Sequence, residues 1–437
     1  MRNRIWVATS LVMVVALLAL TLAGCAGAAS PTPTQAPTKP ATQATKPAAE
    51  ATKPAAEATK PAPAATKPAG GTPQAKAAES KEPYKIGAIF AVTGAASSLG
   101  IPERNTVQML EEQVNKAGGI NGHPIQVVIR DTESDETKTV LAVKNLIDEE
   151  KVLAIIGPSQ SGESLAIADT IEKAQVPLIS AAASVQIVQP VKKWIFKTPQ
   201  SDYLIVQALV DYLKAKNFKN IGWLSASNAY GDSGKTEFEK AAPAAGLNIV
   251  AKESFAATDT DMSAQLTRVR GANPDAIVVW AIPPAAAIVS KNAAQLGIKQ
   301  PIFQSHGIGN PQFIQLAGDA ANGVIFPVGK LTVAQALPDS DPQKKVLVQY
   351  ANDYTAKFGA DTLSTFGGHA WDCFWIVANA LKTAGADRAK LRDAIENTKE
   401  FVGVTGVFNF SPTDHNGLDK RAVTMVEIQG GKWIPAK

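Results

Sequence analysis

The 437-residue sequence contains only two cysteines and four histidines. It has no HExxH, CxxC or paired-carboxylate motif, and no glycine-rich loop that ends in a lysine. Those motifs supply metal ligands, redox thiols, acid–base pairs and phosphate sites, so their absence makes an enzyme the weaker class of function. We therefore expect a protein without catalysis, without a cofactor and without a metal ion.

Most of the chain also has no excess of basic over acidic residues. The first 83 residues hold nine basic and four acidic residues, which leaves 34 basic and 35 acidic residues in the remainder. The formal charge of +4 thus comes from the N-terminal segment, and the rest carries a net charge of −1. No basic domain is present, and we expect no nucleic-acid partner.

The N-terminus has the pattern of an export signal. Arg2 and Arg4 precede a mostly apolar segment, Ile5–Leu22, and the segment ends in LAGC at Cys25. About 18 apolar residues could also just span a bilayer, so a membrane anchor is the alternative. LAGC resembles the lipobox of bacterial lipoproteins, which implies a signal peptide over residues 1–24, cleavage before Cys25 and lipidation of that cysteine. Two or three acyl chains give stable anchoring.

Residues 25–83 are predicted to form a tether. Alanine, proline, threonine and lysine dominate, and ATKPAAE occurs at Ala44 and again at Ala51. A proline in every copy prevents a continuous helix, and the repeat lacks the large apolar residues of a coiled coil. An extended chain without a core is expected, which would hold the following domain away from the membrane.

From Tyr84 onward, short apolar runs alternate with longer segments of helical periodicity. The predicted strands are YKIGAIFAVTG, HPIQVVIRDTES, VLAIIG and VPLISAAAS in a first run, and NIGWLSAS, NIVAKESF, DAIVVWAI and PIFQSHG in a second. Such alternation is typical of parallel sheets covered by helices on both faces, and two runs indicate two α/β lobes. Ligands of such sheets bind beyond the carboxyl ends of the strands.

Two hydroxyl-rich loops follow neighbouring strands of the first run. GPSQSGES, residues 157–164, has neither the lysine of a phosphate loop nor the spacing of a nucleophile elbow, and SAAAS spans residues 180–184. Serines here can simply cap helices. Two such loops at one sheet edge instead favour a carboxylate or a similar small anion.

A family resemblance emerges from an ordered set of segments. GGINGHPIQVVIRDTESD, residues 118–135, is similar to a strongly patterned segment of the branched-chain amino-acid binding proteins, the type I periplasmic binding proteins that serve ABC importers. Six further segments agree in order: YKIGAIFAVTGAASSLG, IIGPSQSG, VPLISAAAS, NAYGDSG, NPDAIVVW and GHAWDCFWIVANALKTAG. The resemblance covers residues 84 to 437.

The resemblance implies two Rossmann-like lobes joined by three crossings, near Pro199, near Val328–Leu331 and near Asn409–Pro412. Lobe 1 would comprise residues 84–199 and 330–410, and lobe 2 would comprise residues 200–329 and 411–437. The ligand would lie in the cleft between them, and the permease and ATPase would be separate chains. A monomer is expected.

The resemblance also implies roles for particular residues. Ser161 and Ser184 match the residues that bind the ligand's carboxylate, Ala182 matches a carbonyl that accepts from its ammonium, and Tyr230 matches an aromatic that closes over it. His306 stands where the amino-acid binders carry a glutamate for the ammonium. An acid such as Asp232 is the alternative partner for that group.

The cleft is expected to be apolar. Leu99 and Ile282 match positions often held by tyrosine in the amino-acid binders, and Trp280 at a strand end is either a cleft residue or a core residue. Three ligand hypotheses remain: a branched-chain or related amino acid, a carboxylate without an α-amino group, and the ligand of an amide or amino-acid sensor.

The remaining histidines and the second cysteine are expected to be structural. His369 and Cys373 share one helix face, where packing in the core is favoured over half a metal site. His123 and His415 are expected in exposed loops.

Overall fold

The structure is a computed structural model that describes residues 81–437. The predicted signal peptide, the predicted lipidation site at Cys25 and all but the end of the predicted tether lie outside the described residues. Within residues 81–437, no helix combines the length and apolar character that a membrane crossing needs.

Strands and helices alternate along most of the described chain. The strands are β1 Tyr84–Phe90, β2 Ile125–Asp131, β3 Ala154–Ile156, β4 Leu178–Ser180, β5 Ile195–Lys197, β6 Asn220–Ala226, β7 Asn248–Phe255, β8 Ala276–Trp280, β9 Ile302–Gln304, β10 Ile325–Val328, β11 Phe401–Val402, β12 Val407–Phe408, β13 Thr424–Gln429 and β14 Lys432–Pro435. The helices are α1 Ser97–Lys116, α2 Glu136–Asp148, α3 Ser161–Ala174, α4 Asp202–Ala215, α5 Ala229–Ala244, α6 Ser263–Gly271, α7 Ala285–Gln295, α8 Pro311–Ala317, α9 Lys344–Phe358, α10 Thr365–Ala384 and α11 Arg388–Glu396.

The first sheet has five strands in the order β2-β1-β3-β4-β5, and every neighbouring pair is parallel. In register, Ile86 of β1 lies opposite Val127 of β2 and Ala154 of β3. Its inner strands are buried because helices cover both faces, as expected of a parallel sheet. The carboxyl ends of β3 and β4 therefore meet at one edge.

The second sheet has seven strands in the order β14-β13-β10-β9-β8-β6-β7. Strands β6 to β10 run parallel, whereas β13 pairs antiparallel with both β10 and β14. Strands from late in the chain thus complete a sheet that begins near residue 220. The prediction of α/β lobes with mainly parallel sheets agrees with this arrangement.

Helices α9 and α10 return to the first sheet. Tyr350, Tyr354 and Phe374 belong to the same buried cluster as Phe90 of β1. The chain therefore passes between the two sheets after β5, after β10 and between β12 and β13. The predicted lobe boundaries stay predictions.

The three passages lie side by side around Gln200, which is fully buried between β5 and α4. Its Nε2 donates to the carbonyl oxygen of Ala422 at 2.9 Å, on the third passage, and to that of Thr405 at 3.0 Å, in the turn between β11 and β12. A Cβ on Gly329, which follows β10, would lie 2.9 Å from the same nitrogen. One side chain thus touches all three connections.

The exposed position expected for His415 is wrong. Its ring is fully buried and stacks on Phe196 with centroids 4.0 Å apart. Nδ1 lies 2.8 Å from the carbonyl oxygen of Ile195, and Nε2 lies 3.1 Å from Oε1 of Glu396. The segment after β12 folds back over β5, a long-range contact that local polarity does not reveal.

Cys373 is buried, as predicted for a core thiol. Its Sγ lies 3.2 Å from Oγ1 of Thr198, and burial raises the pKa of the thiol, which disfavours the reactive thiolate. No cluster of three or more histidine, cysteine or acidic side chains suited to a metal ion occurs among residues 81–437.

The packing of α5 on β8 can be tested by substitution of Gly234. A Cβ on Gly234 would lie 2.2 Å from the ring of Trp280, which is fully buried. Gly234→Ala should lower the free energy of unfolding by about 1–3 kcal/mol through overpacking, measured by chemical denaturation. Gly271→Ala is the control because no atom lies within 4 Å of the added methyl. Equal stabilities of the two variants would contradict this packing.

Candidate functional site

A cavity of about 230 Å³ lies between the two lobes. Its walls come from loops that follow β3 and β4 in the first sheet and β6, β8 and β9 in the second. These loops leave the carboxyl ends of parallel strands, where α/β sheets bind their ligands. The cavity is therefore the candidate ligand site.

The N-terminus of α3 forms part of the first wall. Gly157 ends β3 with φ of +89°, and a Cβ there would lie 2.0 Å from the carbonyl oxygen of Ile89, so a glycine is needed at this turn. Helix α3 then begins at Ser161, and Glu163 accepts from the backbone N–H of Gln160 at 3.2 Å. The first N–H groups of the helix have no partner within it, which makes this end attractive to an anion.

The second loop of this wall follows β4. Ala182 lines the cavity, and its N–H donates to Oγ of Ser180 at 3.1 Å. The N–H of Ser184 donates to Oγ of Ser161 at 3.2 Å. The Ser161 hydroxyl can therefore direct its own proton towards a bound ligand, since the serine oxygen accepts from the backbone.

A buried lysine fixes the same loop. Lys197 is fully buried, and its Nζ donates to the carbonyl oxygen of Ala183 and to Oγ of Ser201 at 3.0 Å. Burial lowers the pKa of Lys197 and raises the pKa of the nearby Asp202. Lys197 does not line the cavity.

The second lobe contributes Tyr230, Ile282 and His306 to the cavity. The Tyr230 hydroxyl accepts from the N–H of Gly307 at 3.2 Å and lies 3.2 Å from Nδ1 of His306. Burial lowers the pKa of His306 well below its usual value, and the neighbouring His369 and Lys197 lower it further. The imidazole is therefore neutral at physiological pH.

Six of the eight residues predicted for the site line this cavity. They are Leu99, Ser161, Ala182, Tyr230, Ile282 and His306. The structure thus brings together residues that are more than 200 positions apart in the sequence. Their roles in binding stay predictions.

Two of the predicted residues, Ser184 and Trp280, do not line the described cavity. Trp280 is a core residue because its ring points to α5, where it packs against Gly234 and stacks on Trp223 with centroids 5.6 Å apart. Ser184 is fully buried outside the cavity lining, and its Oγ accepts from the N–H of Gln186. The backbone N–H of Ser184 connects it to the site through Oγ of Ser161.

Sequence reasoning missed several lining residues, among them Glu136, Glu163, Phe366 and His369. Glu163 stands three positions after Gln160, a capping-box spacing that could have indicated it. His369 was expected only in the core; its Nδ1 lies 2.9 Å from Oγ1 of Thr405, and burial lowers its pKa to about 3.

The alternative acid, Asp232, is not part of the cavity lining. Its side chain is 60% exposed and forms an ion pair with Lys235 at 3.4 Å. The acids that do line the cavity are Glu136 and Glu163, and burial raises the pKa of Glu163 to about 7. The described lining contains neither lysine nor arginine.

Residues 83–432 match a family model described as "Periplasmic binding protein". The chain belongs to the periplasmic binding protein family. Among curated proteins of similar sequence, a leucine-, isoleucine-, valine-, threonine- and alanine-binding protein of Pseudomonas aeruginosa is 27% identical over 341 residues. The match covers 77% of this chain and 86% of that protein.

Solved structures have the same fold as this chain. An extracellular ligand-binding receptor from Rhodopseudomonas palustris HaA2 has a TM-score of 0.77 and 30% identity, over 81% of this chain and 99% of its own. A second structure is the branched-chain amino acid transporter substrate binding protein LivJ from Streptococcus pneumoniae in complex with isoleucine. It has a TM-score of 0.73 and 29% identity, and the match covers 81% of this chain and 99% of that chain. The predicted family and its two-lobed type I fold are confirmed.

Proposed function

We propose that this protein is an extracytoplasmic solute-binding protein that captures a branched-chain or related amino acid and delivers it to an ABC importer. The observation that carries this proposal is the cavity between the lobes, where the N-terminus of α3 and Ser161 face Tyr230 and His306. The ligand would be bound and released without chemical change.

The first wall of the cavity suits a carboxylate. Free N–H groups at the start of α3 and the Ser161 hydroxyl can all donate to the same anion, and the helix dipole favours negative charge there. Ser161 is only 3% exposed, so such hydrogen bonds would form largely away from bulk water.

The remaining walls suit a small apolar side chain. Leu99, Ile282 and Phe366 line the cavity together with Ala181 and Ala183. The volume of about 230 Å³ lies below the range of roughly 300–1,000 Å³ that holds drug-sized ligands. A single amino acid is a better match than a peptide or a nucleotide.

Related proteins support the same choice of ligand. The Pseudomonas relative is named for leucine, isoleucine, valine, threonine and alanine, and the Streptococcus structure holds isoleucine. That the present chain binds the same ligands is part of the proposal.

A carboxylate without an α-amino group is the second candidate, and His306 is the observation that favours it. The position expected to hold a glutamate carries a neutral imidazole, which offers an ammonium group no opposite charge. Keto acids and aromatic acids have no ammonium group, so they would not need an acidic residue at this position.

The membrane attachment belongs to the proposal as well. LAGC at Leu22–Cys25 and the proline-rich repeat support an N-terminally lipidated protein that is tethered at the outer face of the cell membrane. Mass spectrometry of the mature N-terminal peptide should show acyl chains on Cys25; a peptide that still contains residues 1–24 would contradict this attachment.

Ligand binding should close the two lobes. Leucine, isoleucine or valine should raise the melting temperature of the full-length protein and reduce its radius of gyration in solution scattering, because the lobes approach around the ligand. Isopentylamine, which is leucine without its carboxyl group, is the matched control and should do neither. Equal binding of isopentylamine, or recovery of a chemically altered amino acid, would refute the proposal.

Ser161→Ala should weaken binding of the preferred amino acid by roughly 10- to 100-fold in calorimetry, the loss expected for a hydrogen bond to a charged group. Ser184→Ala is the matched control, because Ser184 lies outside the cavity and its backbone N–H remains. A larger loss for Ser184→Ala than for Ser161→Ala would mean that the carboxylate contacts the other loop.

A further inference from the structure

Glu136 is an acidic residue without a partner at the edge of the cavity. It is the first residue of α2, and its side chain reaches the first turn of α3, where a Cβ on Gly162 would lie 2.1 Å from its Oε1. The absence of a side chain at Gly162 leaves the space that this carboxyl group occupies. Among residues 81–437, no hydrogen bond or ion pair to the Glu136 side chain occurs.

The charges around Glu136 are unusual for a carboxylate-binding cavity. No lysine or arginine lines the described cavity, and His306 and His369 are both neutral. The second lining acid, Glu163, has a buried Oε1 without a hydrogen-bond partner. The buried Lys197 is engaged by Ala183 and Ser201.

A ligand carboxylate at Ser161 would therefore bind beside Glu136 with no cationic side chain between them. Two like charges in such proximity repel, and the repulsion strengthens as closure excludes water. A positive charge on the ligand itself removes this penalty. In an α-amino acid the ammonium group is attached one carbon away from the carboxylate, so both groups can be held at once.

We propose that Glu136 binds the ammonium group of the ligand, and that the site thereby selects α-amino acids over keto acids and other carboxylates without an amino group. This inference rests on the proposed function, because it assumes that a carboxylate binds at Ser161. It places the anionic partner in the first lobe, whereas the acid that the sequence offered as an alternative, Asp232, lies in the second.

The position of Glu136 fits a ligand contact better than a structural role. The residue is exposed, and the N-cap of α2 is already supplied by Asp135, whose side chain accepts from the N–H of Lys138 at 2.8 Å. Removal of its charge from the first turn of α2 should lower stability by only about 0.3–1 kcal/mol, which leaves the protein folded.

The test compares Glu136→Gln with the full-length wild-type protein by calorimetry. The probes are two pairs that differ only at the α-position: leucine with 2-ketoisocaproate, and phenylalanine with phenylpyruvate. Wild type should bind the amino acid of the preferred pair at least about 10-fold more tightly, and Glu136→Gln should weaken that amino acid by roughly 10- to 100-fold. The keto acid should bind Glu136→Gln as well as or better than wild type.

Two further variants separate a specific contact from a change in overall charge. Glu133→Gln removes the same charge from the loop that precedes α2, outside the cavity, and should leave the preference unchanged. Glu136→Asp keeps the charge on a shorter side chain and should retain part of the preference.

The outcomes distinguish this inference from the proposed function. Tighter binding of keto acids by wild type, or equal losses for both members of a pair in Glu136→Gln, would overturn the role of Glu136 while leaving a carboxylate-binding protein. Binding of none of the four probes would overturn the proposed function, and the role of Glu136 with it.

Discussion

The parallel pairing of β3 with β4 is the constraint on which the site depends. Parallel strands end at the same edge of the sheet, so the loop before Ser161 and the loop at Ala182 must lie next to each other. The return path of each connection through a helix also aims the N-terminus of α3 at that edge. A site with backbone donors and a partial positive charge therefore results from the fold before any charged side chain is added.

The described cavity contains no lysine or arginine, and its positive potential comes from the N-terminus of α3. Burial keeps the imidazoles of His306 and His369 uncharged. The ammonium group of Lys197 donates to the carbonyl oxygen of Ala183 and does not line the cavity. The lining holds two acids, Glu136 and Glu163, and no lysine or arginine, so the charges of the ligand have a large share in what is bound. Under the proposed function, the oxygens of Ser161 and Glu136 would decide between ligands of the same shape.

Much of the fold could be predicted from the sequence because β-α alternation is a local signal. Strands such as Ala276–Trp280 and Asn248–Phe255 were predicted within a few residues. Helix α1 begins at Ser97 and continues through Pro102, its sixth residue. A proline there removes one intrahelical hydrogen bond, so local sequence signals favour a helix boundary where the packed structure has none.

The site was less predictable because its remaining residues depend on tertiary contacts. Nothing local distinguishes Trp280 in the core from a tryptophan in a cleft; the contact with Gly234 decides it. Glu136 and Gly162 are 26 positions apart and lie on two different helices that are in contact. Sequence periodicity does not predict which helices are in contact. Family resemblance located Ser161 and Tyr230 but gave no indication of an acid at Glu136.

The cluster around Gln200 has a consequence for the freedom of the two lobes. A single connection would allow bending and twisting in every direction, whereas three neighbouring connections that share one buried amide restrict the lobes to few relative orientations. If the lobes close around a solute as proposed, fewer orientations mean less rotational entropy to lose. Part of the affinity for a very small molecule would then be determined at the joint, far from the atoms that the molecule touches.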